Sequence, residues 1–337
     1  MAARMRRPRH PIGIAALVVV VGLFVASAWI RLPFYAVGPG PARNVLPNIM
    51  FTGPPRYDPA SPSALEMTTV RYYQVTPLQA LAVWIEPDWT LVKQSDLYPT
   101  GDVALENQRS LSQMDQSKID ASSVVLKRLT DYPKDHGQGA LVESTIPNCS
   151  ADGRLFPGDV ITAIDGEAVG DTRDVQRILG DAPAGKPLSF TLDVDGNVEH
   201  ATFTRQACGP KKHQLLVGFT SVDAFPIPIS ISSGDIGGPS AGLMWALGLY
   251  ELMTPGDLLA GRTVAGTGTI DLRGRVGPIG GISDKVVAAE KAGAQIFLAP
   301  EKNMPDLEGV DTGDMTVVSV ATFGDALRAL EPAGSTT

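Results

Sequence analysis

Gly237-Gly238-Pro239-Ser240-Ala241-Gly242, followed 45 positions after its serine by Lys285 in Gly280-Gly281-Ile282-Ser283-Asp284-Lys285, decides how the rest of this 337-residue chain is read. A serine hydroxyl attacks a carbonyl at neutral pH only when a neighbouring group takes its proton. No histidine lies beyond His213, so the base on offer is an amine. A free lysine is protonated at pH 7 and must be made neutral by burial or by nearby positive potential. Ser283 to Ala292 reads as a helix packed through Val286, Val287, Ala289 and Ala292. Lys285 then falls in its first turn, where the positive end of the helix dipole disfavours an ammonium. Small residues flank Ser240 and let the main chain approach a substrate. The amides of Gly238, Ser240 and Ala241 are candidate donors to a developing oxyanion. Ala241 to Met253 reads as an apolar helix with Ser240 near its start.

Other readings of this stretch are tested by the residues elsewhere in the chain. Gly238-x-Ser240-x-Gly242 fits the nucleophile elbow of the α/β-hydrolases, but that site needs a later histidine. No lysine has a serine three residues before it, so the Ser-x-x-Lys pattern is absent. Taken alone, the glycines also fit a tight turn with no chemistry.

From about Pro226 to Leu307 the chain resembles the proteolytic domain of the Lon protease family. More specifically it resembles the Lon-like proteins that lack an ATPase and join a membrane segment and a PDZ domain to the catalytic domain. The blocks that carry the resemblance are Gly-Pro-Ser-Ala-Gly around Ser240, Gly266-Thr267-Gly268-Thr269-Ile270-Asp271-Leu272-Arg273-Gly274-Arg275-Val276, Pro278-Ile279-Gly280-Gly281, and the helix opening with Lys285. The resemblance implies a serine endopeptidase with Ser240 as nucleophile, Lys285 as general base and Thr267 orienting the lysine, with Thr269 as the competing threonine. It also implies, by analogy, a homo-oligomer in the form of a hexameric ring. The chain departs from the ATP-dependent members, which commonly have an acidic residue three positions before the serine. Here that position is Gly237, and Asp235 lies further back.

Phe156-Pro157-Gly158-Asp159-Val160-Ile161-Thr162-Ala163-Ile164-Asp165-Gly166 resembles the core of a PDZ domain, with a strand at Ala140 to Ile146 before it. A helix at about Thr172 to Leu179 and strands Leu188 to Val194 and His200 to Arg205 come after it. PDZ domains capture an extended peptide or chain terminus as an added strand. The expected partners are therefore protein or peptide substrates, with Gly137 to Gly139 the candidate carboxylate-binding loop. Gly180-Asp181-Ala182-Pro183-Ala184-Gly185-Lys186 imitates a phosphate-binding loop, but Pro187 replaces the magnesium-holding hydroxyl and the segment follows a helix. No ATP and no other cofactor is expected.

Arg4, Arg6, Arg7 and Arg9 precede an uncharged run from Pro11 to Ile30, about 20 residues and long enough to cross a bilayer. The basic cluster stays inside, which puts everything after Arg31 outside the cytoplasm. Ala26-Ser27-Ala28 has the form of a signal-peptidase site, so a cleaved leader is the alternative to a retained anchor. The composition, 44% hydrophobic with net charge -8, suits about two folded domains and argues against nucleic acid. Cys149 and Cys208 form no C-x-x-C pair, and His10, His136, His200 and His213 form no metal-binding cluster. No metal is expected, and in an oxidising compartment the two cysteines can pair.

The expected architecture is α+β and multidomain. It comprises a basic tail (1–10), a transmembrane helix (11–31), an extracytoplasmic N-terminal region (32–135), a PDZ-like β-sandwich or barrel (136–210), a Lon-type α+β proteolytic domain (211–330) and a tail (331–337). Within 32–135, Leu65 to Val75 reads as a strand, Pro77 to Trp84 and Val103 to Thr130 as helices, and Trp84 and Trp89 as packing residues. The competing functional class is a PDZ adaptor with a non-catalytic Lon-like module.

Overall fold

In a computed structural model, residues 15, 18, 21–22, 27–209 and 214–331 are described. The expected basic tail, most of the expected span at 11–31 and the tail beyond 331 lie outside them. Among the described residues no helix is long and apolar enough to cross a membrane. The chain divides into two compact units, 1–39 with 70–103, and 40–69 with 104–337.

In the first unit, the strand Phe34–Pro39 is the middle of a three-stranded antiparallel sheet, between Val70–Gln74 and Thr90–Lys93. A short helix, α1 (Pro77–Val83), begins with a capping box. Thr76 Oγ1 accepts from the Gln79 amide, and the Gln79 side chain accepts from the Thr76 amide. Pro77 at the first position has no N–H, so two of the three orphan donors at this end are thereby satisfied. Ala36, Val75 and Val83 form a small core with Trp89 against it. Trp89 is a packing residue as expected, but Trp84 is 81% exposed.

The second unit holds two larger sheets, three two-stranded ribbons and a long helix, α2 (Val103–Leu129), among the described residues. Ala140–Thr145 and Val160–Ile164 pair antiparallel, Pro187–Val194 and Asn197–Thr204 extend that sheet on one side, and Phe219–Asp223 closes it on the other. The helix α3 (Thr172–Asp181) is capped by Asp171, whose carboxylate accepts from the Arg173 and Asp174 amides. Phe190 and Phe203 meet edge to face in the core of this sheet. The two ends of this segment are hydrogen-bonded together: Gly137 N–H donates to Ala224 O at 2.8 Å, and Ala224 N–H to Gly139 O at 3.2 Å.

The other sheet is mixed, in the order Arg43–Asn44, Ala64–Met67, Thr263–Gly266, Ile296–Pro300 and Thr316–Val320. Its second strand pairs in parallel with a segment about 200 residues later, Leu65 opposite Val264. Helix α4 (Gly242–Met253) is apolar nearly all round, and Trp245, Leu247 and Leu249 are fully buried. Such a helix belongs in a core. It packs among Leu65, Met67, Met114, Leu298 and Val320, with α5 (Ile282–Lys291) and α6 (Phe323–Leu330) completing the unit. This mixed sheet, expected to belong to the Lon-type domain at 211–330, thus extends beyond those bounds. It takes strands from 40–69, and Met114 of α2 enters its core. The Leu65 to Val75 stretch, expected as one strand, is two, Ala64–Met67 and Val70–Gln74, in different sheets.

Candidate active site and peptide groove

Ser240 sits in the turn that leads into α4, and Lys285 on the first turns of α5 after Gly281, whose φ of 65° requires a glycine-like backbone. Their side chains meet: Lys285 Nζ lies 2.6 Å from Ser240 Oγ and 2.9 Å from Thr267 Oγ1. The Thr267 hydroxyl donates in turn to Ser240 O at 3.0 Å, and Gly268 N–H donates to the same carbonyl at 2.7 Å. Thr267 therefore ties the lysine to the main chain of the serine. Thr269 lies elsewhere, its Oγ1 crowding Gly277. Lys285 and Thr267 are 3% and 1% exposed. Burial pushes the Lys285 ammonium down to about 8 from the ordinary 10.5. The cause is desolvation of the charged form, where the sequence pointed to the helix dipole.

Helix α2 shapes the serine turn from behind. Gly238 N–H donates to Ser110 O at 2.7 Å, and the Ser117 hydroxyl donates to Pro239 O at 3.1 Å. The Gly238 amide is therefore spent on α2 and is no oxyanion donor. Among the described residues no acceptor takes the amide hydrogens of Ser240 or Ala241. A trans peptide sets its C=O and N–H on opposite sides of a plane. Holding Pro239 O against Ser117 thus turns the Ser240 N–H away from α2. Gly237 is glycine for a packing reason, because a Cβ there would lie 2.3 Å from Ser110 Oγ and 3.0 Å from the Ser110 carbonyl carbon.

The outer strand Phe219–Asp223 faces α3 along a groove. At one end, Thr172 N–H and its hydroxyl donate to Asp223 Oδ1 at 2.9 and 2.7 Å. At the other end a cavity of about 230 Å³ opens between Leu179 of α3, Arg205 and the loop Leu216-Val217-Gly218-Phe219. Sequence reading missed this loop. Gly137 to Gly139, the expected candidate, instead pair with Ala224 and Gly170. The available signal was the Gly218-Phe219 step between an apolar pair and a strand. Cys149 and Cys208 are joined by a disulfide directly behind the loop. A Cβ at Gly218 would lie 2.0 Å from Cys149 Cβ, and Gly218 has φ 97°.

Residues 200–330 match the Lon protease (S16) C-terminal proteolytic domain, and residues 141–193 match a PDZ domain. The chain carries a PDZ domain and a Lon-type proteolytic domain. The Lon protease of Lachnoclostridium phytofermentans is 45% identical over 94 residues, which is 27% of this chain and 11% of that protein. The human peroxisomal Lon protease homolog 2 is 34% identical over 152 residues, 43% of this chain and 18% of that one. The chain thus spans between a tenth and about a fifth of the length of the curated relatives it matches. A crystal structure of the PDZ domain of an SdrC-like protein from Listeria innocua aligns with 25% of this chain and 93% of its own, at 24% identity and a TM-score of 0.23.

Proposed function

We propose that this chain is a membrane-anchored, ATP-independent serine endopeptidase that works outside the cytoplasm, with Ser240 and Lys285 as its dyad and the PDZ domain selecting or gating protein substrates. The observation that carries the reading is the buried contact of Lys285 Nζ with Ser240 Oγ and Thr267 Oγ1. At a pKa of about 8, about a tenth of the lysine is neutral at pH 7. In that form Nζ accepts the Ser240 proton as Oγ attacks the scissile carbonyl. The amides of Ser240 and Ala241 receive the developing oxyanion. Collapse of the tetrahedral intermediate breaks the C–N bond, the leaving amine takes the proton from Lys285, and the acyl group stays on Ser240. Water, deprotonated by the same amine, then releases the acid. Thr267 orients Lys285 through its hydroxyl, 2.9 Å from Nζ.

The outer strand and α3 offer the edge and wall of a peptide groove, ending in the Leu216–Phe219 loop as the site for a terminal carboxylate, with the Arg205 guanidinium beside it. Two features support export and anchoring: the basic cluster followed by the uncharged run at 11–30 and the Cys149–Cys208 disulfide, a bond that persists in oxidising compartments. The test is cleavage of an unfolded protein by the full chain in detergent without ATP, alongside Ser240→Ala and Lys285→Ala. Wild-type cleavage that both variants lose is the expected result. Absence of cleavage by the wild type, or cleavage retained by Ser240→Ala, overturns the assignment.

A further inference from the structure

Helix α1 turns its apolar face outward. Val83 and Ala80 face the small core of the first unit, while Leu78, Leu81, Trp84 and Ile85 are 42%, 56%, 81% and 75% exposed. Positions 78, 81 and 85 fall on one stripe at helical spacing and Trp84 flanks it. A solvated surface helix carries polar residues there, and clustered exposed apolar side chains mark an interaction site.

The place where this face sits identifies its occupant. The uncharged run that begins at Pro11 ends at Ile30, and the next residues are stapled to the segment that leads into α1. Arg31 Nη1 donates to Gln74 O at 3.0 Å, Leu32 N–H to Val75 O at 2.9 Å, and Gln74 Nε2 to Leu32 O at 3.0 Å. Only Thr76 separates that staple from Pro77, the first residue of α1. Trp29, 82% exposed, and Ile30 lie just before it. Two exposed tryptophans, with leucine and isoleucine around them, thus gather where the apolar run emerges. Tryptophan is enriched at the headgroup level of bilayers, where its ring is shielded and its N–H stays wet. A second copy of the chain is a poorer occupant. A helix of seven residues is about 10 Å long, and a stripe of four side chains on it falls well short of the roughly 800 Å² per partner of a stable protein interface.

We propose that the face of α1 formed by Leu78, Leu81, Trp84 and Ile85 lies in the interfacial layer of a phospholipid bilayer, beside the point where the chain leaves it. The proposal rests on the anchored reading under Proposed function. Glu86 comes directly after Ile85 and keeps the immersion shallow, since a carboxylate stays in water. The first unit is then seated against the lipid surface by this face as well as tethered to it.

The test uses the full chain reconstituted in phosphatidylcholine–phosphatidylglycerol vesicles whose acyl chains are brominated near the headgroup, which quench tryptophan on contact. The chain has four tryptophans. Trp89 and Trp245 are packed inside the protein, so the quenched amplitude should come from Trp29 and Trp84. Trp84→Phe preserves an apolar ring at an exposed site, and it should lower that amplitude by about half while the protein still floats with the vesicles. An unchanged quenched amplitude in Trp84→Phe overturns the proposal. So does Trp84 emission that is blue-shifted without being quenched, which would show a protein partner on the face. Failure of the wild-type chain to float would instead sink the anchored reading, and the present inference with it.

Discussion

Replacing Lys285 by methionine keeps a side chain of similar length and removes the charge. Burial holds this amine at about 8 against 10.5 in an unfolded chain, so the unfolded state binds the proton more tightly. For a base shifted in that direction the penalty is fully present below pH 8 and fades as pH rises towards 10.5. Two and a half units amount to about 3 kcal/mol of destabilisation at pH 7. By the same linkage about 2 kcal/mol remains at pH 9. Methionine carries no such penalty. It also leaves Ser240 Oγ and Thr267 Oγ1 without the amine, a loss of about 1 kcal/mol each that does not vary with pH in this range. The stability difference, variant minus wild type, should therefore fall by about 1 kcal/mol between pH 7 and pH 9. Urea unfolding of both proteins at the two pH values, followed by tryptophan emission, reads it directly, and the comparison cancels every other titrating group. A difference that stays constant or grows with pH would refute burial as the source of the lowered pKa.

If Lys285 is the base of the proposed mechanism, the same amine sets the rate. With its pKa at about 8, kcat/KM for an uncharged peptide substrate should rise about tenfold from pH 7 to pH 9 and then level off, whereas a profile flat across pH 8 would remove Lys285 as the base. Ser117→Ala frees the Pro239 carbonyl and loosens the aim of the Ser240 amide, so kcat should drop about tenfold with little change in KM, since a fully lost oxyanion donor costs about 10²-fold or more; an unaltered kcat would show that the turn holds itself. Opening the Cys149–Cys208 bond, which spans 59 positions, should cost about 4 kcal/mol of stability by loop entropy, and it should weaken peptide binding at the Leu216–Phe219 loop, measured by titration of a labelled C-terminal peptide, before it touches cleavage of a short substrate.

Ser240 and Lys285, singled out together in the sequence, lie in contact in the structure, because local glycine-rich turns and helix starts encode where each side chain is presented. Thr267 and Thr269 were inseparable by pattern, since residues two apart share a strand face. The chain breaks at Gly268, with φ 150°, and only Thr267 reaches the lysine. The pairing of Leu65 with Val264 left no local trace, because a strand's composition says that it is buried and not against what. Trp84 reads as a packing residue from the sequence and is 81% exposed in the structure, because hydrophobic character alone does not fix burial. Val103 to Thr130 reads as a helix with no sign of its partner, and in the structure the Ser110 carbonyl and the Ser117 hydroxyl of α2 hold the turn that carries Ser240. The Leu216–Phe219 loop escaped because it comes after the PDZ core in sequence while lying beside its first strand in space.

The PDZ segment leaves and rejoins the proteolytic unit at neighbouring points, Gly137 and Ala224, bonded to each other. A module attached by one strand swings like a bead on a thread. One attached by two adjacent strands, with Tyr132 Oη also donating to Asp223 O at 2.7 Å, turns at most about a single line. A chain end held at the Leu216–Phe219 loop is then a nearly constant span from Ser240. Extended polypeptide covers about 3.3 Å per residue, so under the proposed function that span would act as a ruler, converting geometry into a count of residues between a captured terminus and the bond that is cut.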